Sequence, residues 1–137
     1  MPSKKRSVAK PPEEEVFFVD RSLGVEPIRS SLEREGVIVK IHDDLFKRDE
    51  EDHVWLAEVG NRNWVVLTKD QRLRYRPLEI AALRDSRCRV FVLVAGNMKG
   101  IEIASVFVKA LRRIFAILRS HPGPFVARIS KSGRVAI

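Results

Sequence analysis

At 137 residues the chain is the size of one domain, long enough to bury a core without disulfide or metal staples. Its composition, 45% hydrophobic and 32% charged, is that of a soluble globular protein, and no apolar run nears the ~18 residues that a membrane span needs. The formal charge of +8 and pI ≈ 10.1 suit a polyanionic partner, or equally a basic protein without one.

The amino terminus lacks the apolar segment of a secretory signal. One cysteine, Cys88, excludes an internal disulfide and fits a reducing cytoplasm. Residues 1–14 open with the basic, proline-ended MPSKKRSVAKPP and read as a disordered tail. The remainder, 15–137, reads as the folded domain.

The first strand is Val16 to Val19, four apolar residues running straight into Asp20. Such a run suits a strand buried on both faces. A loop, Arg21 to Gly24, leads to a helix from Pro27 to about Glu35, with Ile28 and Leu32 inward and Gly36 as its stop. Val37 to Ile41 reads as the second strand, followed by His42-Asp43-Asp44. The acidic cluster Asp49-Glu50-Glu51-Asp52 opens a second helix, anchored by Val54, Trp55, Leu56 and Val59 and ended by Gly60. Acids in a first turn are also favoured by the helix dipole alone.

The third strand, Trp64 to Leu67, ends in Thr68-Lys69-Asp70. Gln71 to Arg76 then alternates basic and other residues up to Pro77. A short helix from Pro77 to Asp85 carries Leu78, Ile80, Ala81 and Leu83. The fourth strand is Val90 to Val94, closing on Ala95-Gly96-Asn97. A long helix from Gly100 to Ser120 places Ala104, Phe107, Val108, Leu111, Ile114, Phe115 and Leu118 on one stripe. Phe125 to Ile129 and Arg134 to Ile137 form a terminal hairpin. Strand and helix alternate, so the expected fold is α/β, a helix-flanked and mainly parallel sheet in α/β/α layers.

Right-handed crossovers bring the carboxyl ends of parallel strands to one edge, where open α/β sheets bind ligands. Asp20, Asp43 or Asp44, Asp70 and Asn97 all fall along that edge. Asp20 and Asp70 each end a buried strand and suit a hard cation such as Mg²⁺ or Mn²⁺, which takes oxygen ligands. Each also has the ordinary role of capping the turn that follows. A third carboxylate comes from Asp52, Asp44, Asp49 or Glu51. A basic surface around acids repels neither partner if a cation and a nucleic acid are both bound.

Arg72, Arg74 and Arg76 share one side if their segment is extended, and from there they would reach phosphates. A solvated arginine run is the alternative, and Glu79 has the spacing to pair with Arg76. Arg21 and Lys69 flank the proposed ligands and would balance charge or touch phosphate. His42, His53 and His121 lack zinc spacing and read as surface histidines, with His42 nearest the edge. Cys88 reads as a core thiol. The chain has no Walker lysine motif and no G-x-S-x-G elbow.

These pieces in this order resemble the PIN-domain ribonucleases, in the branch that includes VapC-type toxins of toxin–antitoxin pairs. They are V-F-F-V-D-R-S-L-G from Val16, D-x-x-W-L from Asp52, W-V-V-L-T-K-D from Trp64, R-x-R-P-L-E from Arg74 and G-N-x-x-G from Gly96. The resemblance implies metal-dependent endonucleolytic cleavage of single-stranded RNA, with Asp20, Asp52 and Asp70 as ligands and catalytic acids. The family's further acid, near the end of the fourth strand, falls close to Asn97, an uncharged donor. It also implies a cognate antitoxin. A non-catalytic RNA-binding or partner-binding module on the same fold is the alternative. Packing of Val106 and Ile117 of the long helix on a second copy or on an antitoxin helix competes with their simply completing the core.

Overall fold

The computed structural model describes residues 14–137. The expected basic tail therefore lies almost wholly outside the described residues. Six strands form one sheet in the order β2-β1-β3-β4-β5-β6: β1 (Val16–Val19), β2 (Ile38–Ile41), β3 (Val65–Thr68), β4 (Arg89–Val94), β5 (Phe125–Ser130) and β6 (Val135–Ala136). The first five pair in parallel and β6 turns back antiparallel on β5. The α/β expectation therefore stands, including the terminal hairpin.

Helices α1 (Ile28–Arg34) and α5 (Gly100–Ser120) cover one face. Phe17, Val19, Val65, Leu67, Phe91, Leu93, Ala127 and Ile129 point into it against Ile103, Phe107, Ala110 and Ile114. The short α2 (His42–Leu45) stands at the end of β2, and α3 (Asp52–Asn61) and α4 (Pro77–Asp85) cover the other face. There Phe18, Val66, Val90 and Val92 meet Trp55, Leu56, Val59, Leu73 and Leu83. The period-2 alternation of β1, β3 and β4 thus feeds two cores, which is why those strands read as unbroken apolar runs. On α5, Val106 is buried and Ile117 packs against the first core, so both complete it.

Several boundaries differ from the expected ones, each for a local reason. The second helix continues past Gly60 to Asn61. Gly60 serves close packing instead, since a Cβ there would fall 2.0 Å from Ser86 Oγ. Trp64 lies outside β3, half-buried under the Arg62 guanidinium. Gln71–Arg74 forms a 3₁₀ turn rather than an extended segment, because Leu73 tucks into the core and Asp70 caps the turn from its Oδ1. Arg72, Arg74 and Arg76 consequently do not share one side. On α4, Leu78 and Ile80 face outward, and Leu83 and Glu79 take the inward positions.

Candidate active site

The sheet order reverses direction between β2-β1 and β1-β3, and the crevice at such a switch point is where doubly wound sheets hold ligands. Asp20 and Thr68 stand on either side of it. Asp20 is buried, and its Oδ2 accepts from Thr68 Oγ1 at 2.7 Å and from Ser22 Oγ at 2.8 Å. Oδ1 carries no hydrogen bond among the described residues. Thr68 Oγ1 also accepts from the backbone N–H of Asp70 at 3.0 Å, and Ser22 Oγ from that of Lys69 at 3.0 Å. Two hydroxyls thus tie the loop after β1 to the loop after β3 and fix both aspartates.

Asp70 Oδ1 accepts from the backbone N–H and Nε of Arg72, both at 3.0 Å. Asp52 opens α3, where the helix dipole favours an acid. Its Oδ1 accepts from Trp55 Nε1 at 3.0 Å, and Arg76 lies 3.7 Å from its Oδ2. Burial pushes the Asp52 carboxyl above the usual aspartate range, and the negative charges of Asp20, Asp70 and Glu79 push it the same way. Burial is the larger cause, and those charges add to it. Glu79 is the member that sequence reading left out of the group. It is buried, and it does pair with Arg76, at 3.4 Å. Its signal was its helical position facing the core, three residues beyond Arg76.

Asp44 is exposed on α2, and Asp49 and Glu51 are exposed ahead of α3. Asn97 is exposed past the end of β4, on the same sheet edge. Arg21 is bound to Asp43 at 2.9 Å and to the backbone oxygen of Arg48 at 3.2 Å. Lys69 is half-buried. Arg74 lies over the Tyr75 ring with its Nε buried and unbonded. His42 is a correction to the surface reading. It is buried among Phe18, Phe46 and Trp55, with Nδ1 2.9 Å from Asp43 Oδ1.

Carboxylate oxygens alone make up the acid group, the donor chemistry of a hard divalent cation. As placed, no three Asp, Glu, His or Cys side chains among the described residues stand close enough to enclose an ion. Arg72 and Arg76 supply the positive charge beside Asp70 and Asp52 instead. The edge is an open surface. A cavity of about 430 Å³ lies at the opposite, amino edge of the sheet, lined by Asn63, Arg87 and His121 among others, and touches none of the acids.

An α/β sheet with two strand-end aspartates at its switch point is thus the class that fold and site define. The chain belongs to the PIN-like domain family, whose model, described as "PIN like domain", matches residues 16–95. It is also 25% identical over 125 residues to a Mycobacterium tuberculosis protein named "Putative ribonuclease VapC45", an overlap covering 88% of this chain and 90% of that one. No solved structure matches. Among the described residues no helix is long and apolar enough to cross a membrane.

Proposed function

We propose that the chain is an endoribonuclease that cuts single-stranded RNA with Mg²⁺ or Mn²⁺, and that it is the toxin of a toxin–antitoxin pair. The observation that carries the reading is that Asp20 and Asp70 end adjacent parallel strands and are tied to each other through Thr68 and Ser22, with Asp52 opening α3 beside them. The family membership and the ribonuclease name of the mycobacterial relative support it.

In this reading Asp20, Asp52 and Asp70 would hold the cation, with Asn97 or Asp44, both exposed, as a further oxygen donor. A bound divalent ion would supply an activated water and stabilise charge on the phosphoryl oxygens. Thr68 and Ser22 hold Asp20 in place. Arg72 and Arg76 hold substrate phosphate once their own acids are engaged elsewhere, and Lys69, Arg74 and Arg21 extend the positive rim. The cytoplasm, with its reducing poise, is the compartment that the lone buried Cys88 fits. An antitoxin is the protein partner that follows from the toxin reading, and light scattering of the isolated chain tests for a homodimer.

A specific observation favours a second reading, a non-catalytic RNA-binding or partner-binding module: the acids as placed enclose no ion, and Asp70 and Asp52 already have arginine partners. Calorimetry with Mn²⁺, with an RNA panel run in Mg²⁺, Mn²⁺ and EDTA, separates the two. The nuclease takes up Mn²⁺ in a manner lost in Asp20→Asn and cuts only with metal. Equal RNA binding with and without metal, and no cutting, would establish the module instead.

A further inference from the structure

The two faces of the sheet are covered unequally. Phe125, Ala127 and Ile129 of β5 are sealed under α5. On the other face α3, α4 and the 3₁₀ turn reach across β1, β3 and β4, and the alternate residues of β5 and β6 lie open. Val94, Val126 and Ser130 are only half-buried there, and Arg128, Arg134 and Ala136 are exposed. Val94, Arg128, Ser130, Arg134 and Ala136 together line a groove of about 310 Å³.

Register places this panel beside the acids. Thr68 pairs with Val92, Val92 with Arg128, and Arg128 with Ala136, so all four share one row and one face. Thr68 is the residue whose hydroxyl holds Asp20. Two strand spacings, about 10 Å, therefore separate the row position of Arg128 from that of Thr68. Val94 pairs with Ser130, one step nearer the carboxyl edge, and Ser130 N–H donates to Arg134 at 2.9 Å. Neither guanidinium has an ion pair among the described residues, unlike Arg21, Arg72, Arg76 and Arg89.

We infer that this open panel is the track along which a single-stranded RNA lies as it runs to the acid edge, with Arg128 and Arg134 on its phosphates. The half-buried Val94 and the exposed Ala136 give bases an apolar floor. The inference rests on the ribonuclease reading. Two cations on the terminal hairpin at a sheet margin also serve to block edge-to-edge pairing, and the test must separate these roles.

Binding of a fluorescein-labelled oligouridylate is measured in the Asp20→Asn background, where it cannot be cut, against salt concentration. The Arg128→Gln/Arg134→Gln protein is compared with Arg112→Gln/Arg113→Gln, which removes the same charge from α5 on the covered face. The track predicts at least ~10-fold weaker binding and a salt slope shallower by about 1.4 for the first pair, and little change for the second. With Asp20 restored, KM for long RNA rises while kcat on a tetranucleotide stays as it was. Equal losses from both pairs, or no loss from the first, overturn the track and leave the nuclease reading standing. Self-association of the first variant with unchanged RNA binding overturns it in favour of the blocking role. No RNA binding or cutting by the parent protein defeats the nuclease reading, and the track with it.

Discussion

Thr68 and Asp20, 48 residues apart in the chain, meet across neighbouring strands with 2.7 Å between hydroxyl and carboxylate. The hydroxyl is fully buried, and its second bond, from the Asp70 N–H, carries the same restraint to the other aspartate. Thr68→Val keeps the shape and removes these bonds together with the 3.2 Å contact to Ser22 Oγ, so it should destabilise the fold by ~1–3 kcal/mol, the usual cost of unsatisfied buried polar groups. Thr68→Ser should recover most of that loss in urea melts. A Val variant as stable as its parent would show that Ser22 alone suffices to hold Asp20.

Asp52 predicts an effect of opposite sign. Its carboxyl lies above the ordinary aspartate range, first because it is partly buried and then because Asp20, Asp70 and Glu79 surround it. The folded protein therefore binds this proton more tightly than the unfolded chain does. The contribution favours folding most at pH below the ordinary aspartate range, and it is lost as pH rises through the raised folded value. Asp52→Asn keeps an oxygen for Trp55 Nε1 and removes the charge. In EDTA at neutral pH it should melt at a higher temperature than the parent, and the gap should close on acidification. A lower Tm would mean that the Arg76 contact outweighs the repulsion.

Much of this edge is legible in the sequence. Val16–Val19 and Val65–Thr68 announce themselves as apolar runs because both faces of β1 and β3 are covered, and the acids follow at their ends. What misled was local. The Arg72-Leu73-Arg74 alternation imitates a strand, but Leu73 reaches the core by winding into a 3₁₀ turn capped by Asp70. His42 looks like a surface residue until Asp43 satisfies its Nδ1 and three aromatic rings enclose it. Glu79 was hidden because a buried acid has no signature apart from its partners, and Arg76 looked sufficient. Which of the cluster from Asp49 to Asp52 leans over the edge depends on the first turn of α3, and charge pattern alone does not resolve that.

Cys88 gives a simple probe of the second core. The thiol is buried at the foot of β4, and burial pushes its pKa up to about 12. Since the thiolate is the reactive species, the native protein should resist iodoacetamide at mildly alkaline pH and react at once in denaturant. Mass spectrometry reads the adduct. Prompt labelling of the native chain would show that the packing of Cys88 against Gly60 and α3 opens readily.

The opposite end of the sheet has its own ionic clasp, and it explains how the amino edge is held while the carboxyl edge remains free for chemistry. Arg89 at the start of β4 binds Glu15 through two bonds of 3.1 and 3.2 Å and donates to the Asn63 carbonyl at 2.7 Å. Both side chains are nearly buried, 10% and 7% exposed. Removing one partner strands the other charge, so Glu15→Leu or Arg89→Met should each cost about 3 kcal/mol or more in guanidinium melts. Replacing both together should cost less than the sum, because an apolar pair fills the same space without an unpaired ion. Additive losses would show that the two residues act independently, with Asn63 as the true anchor of Arg89.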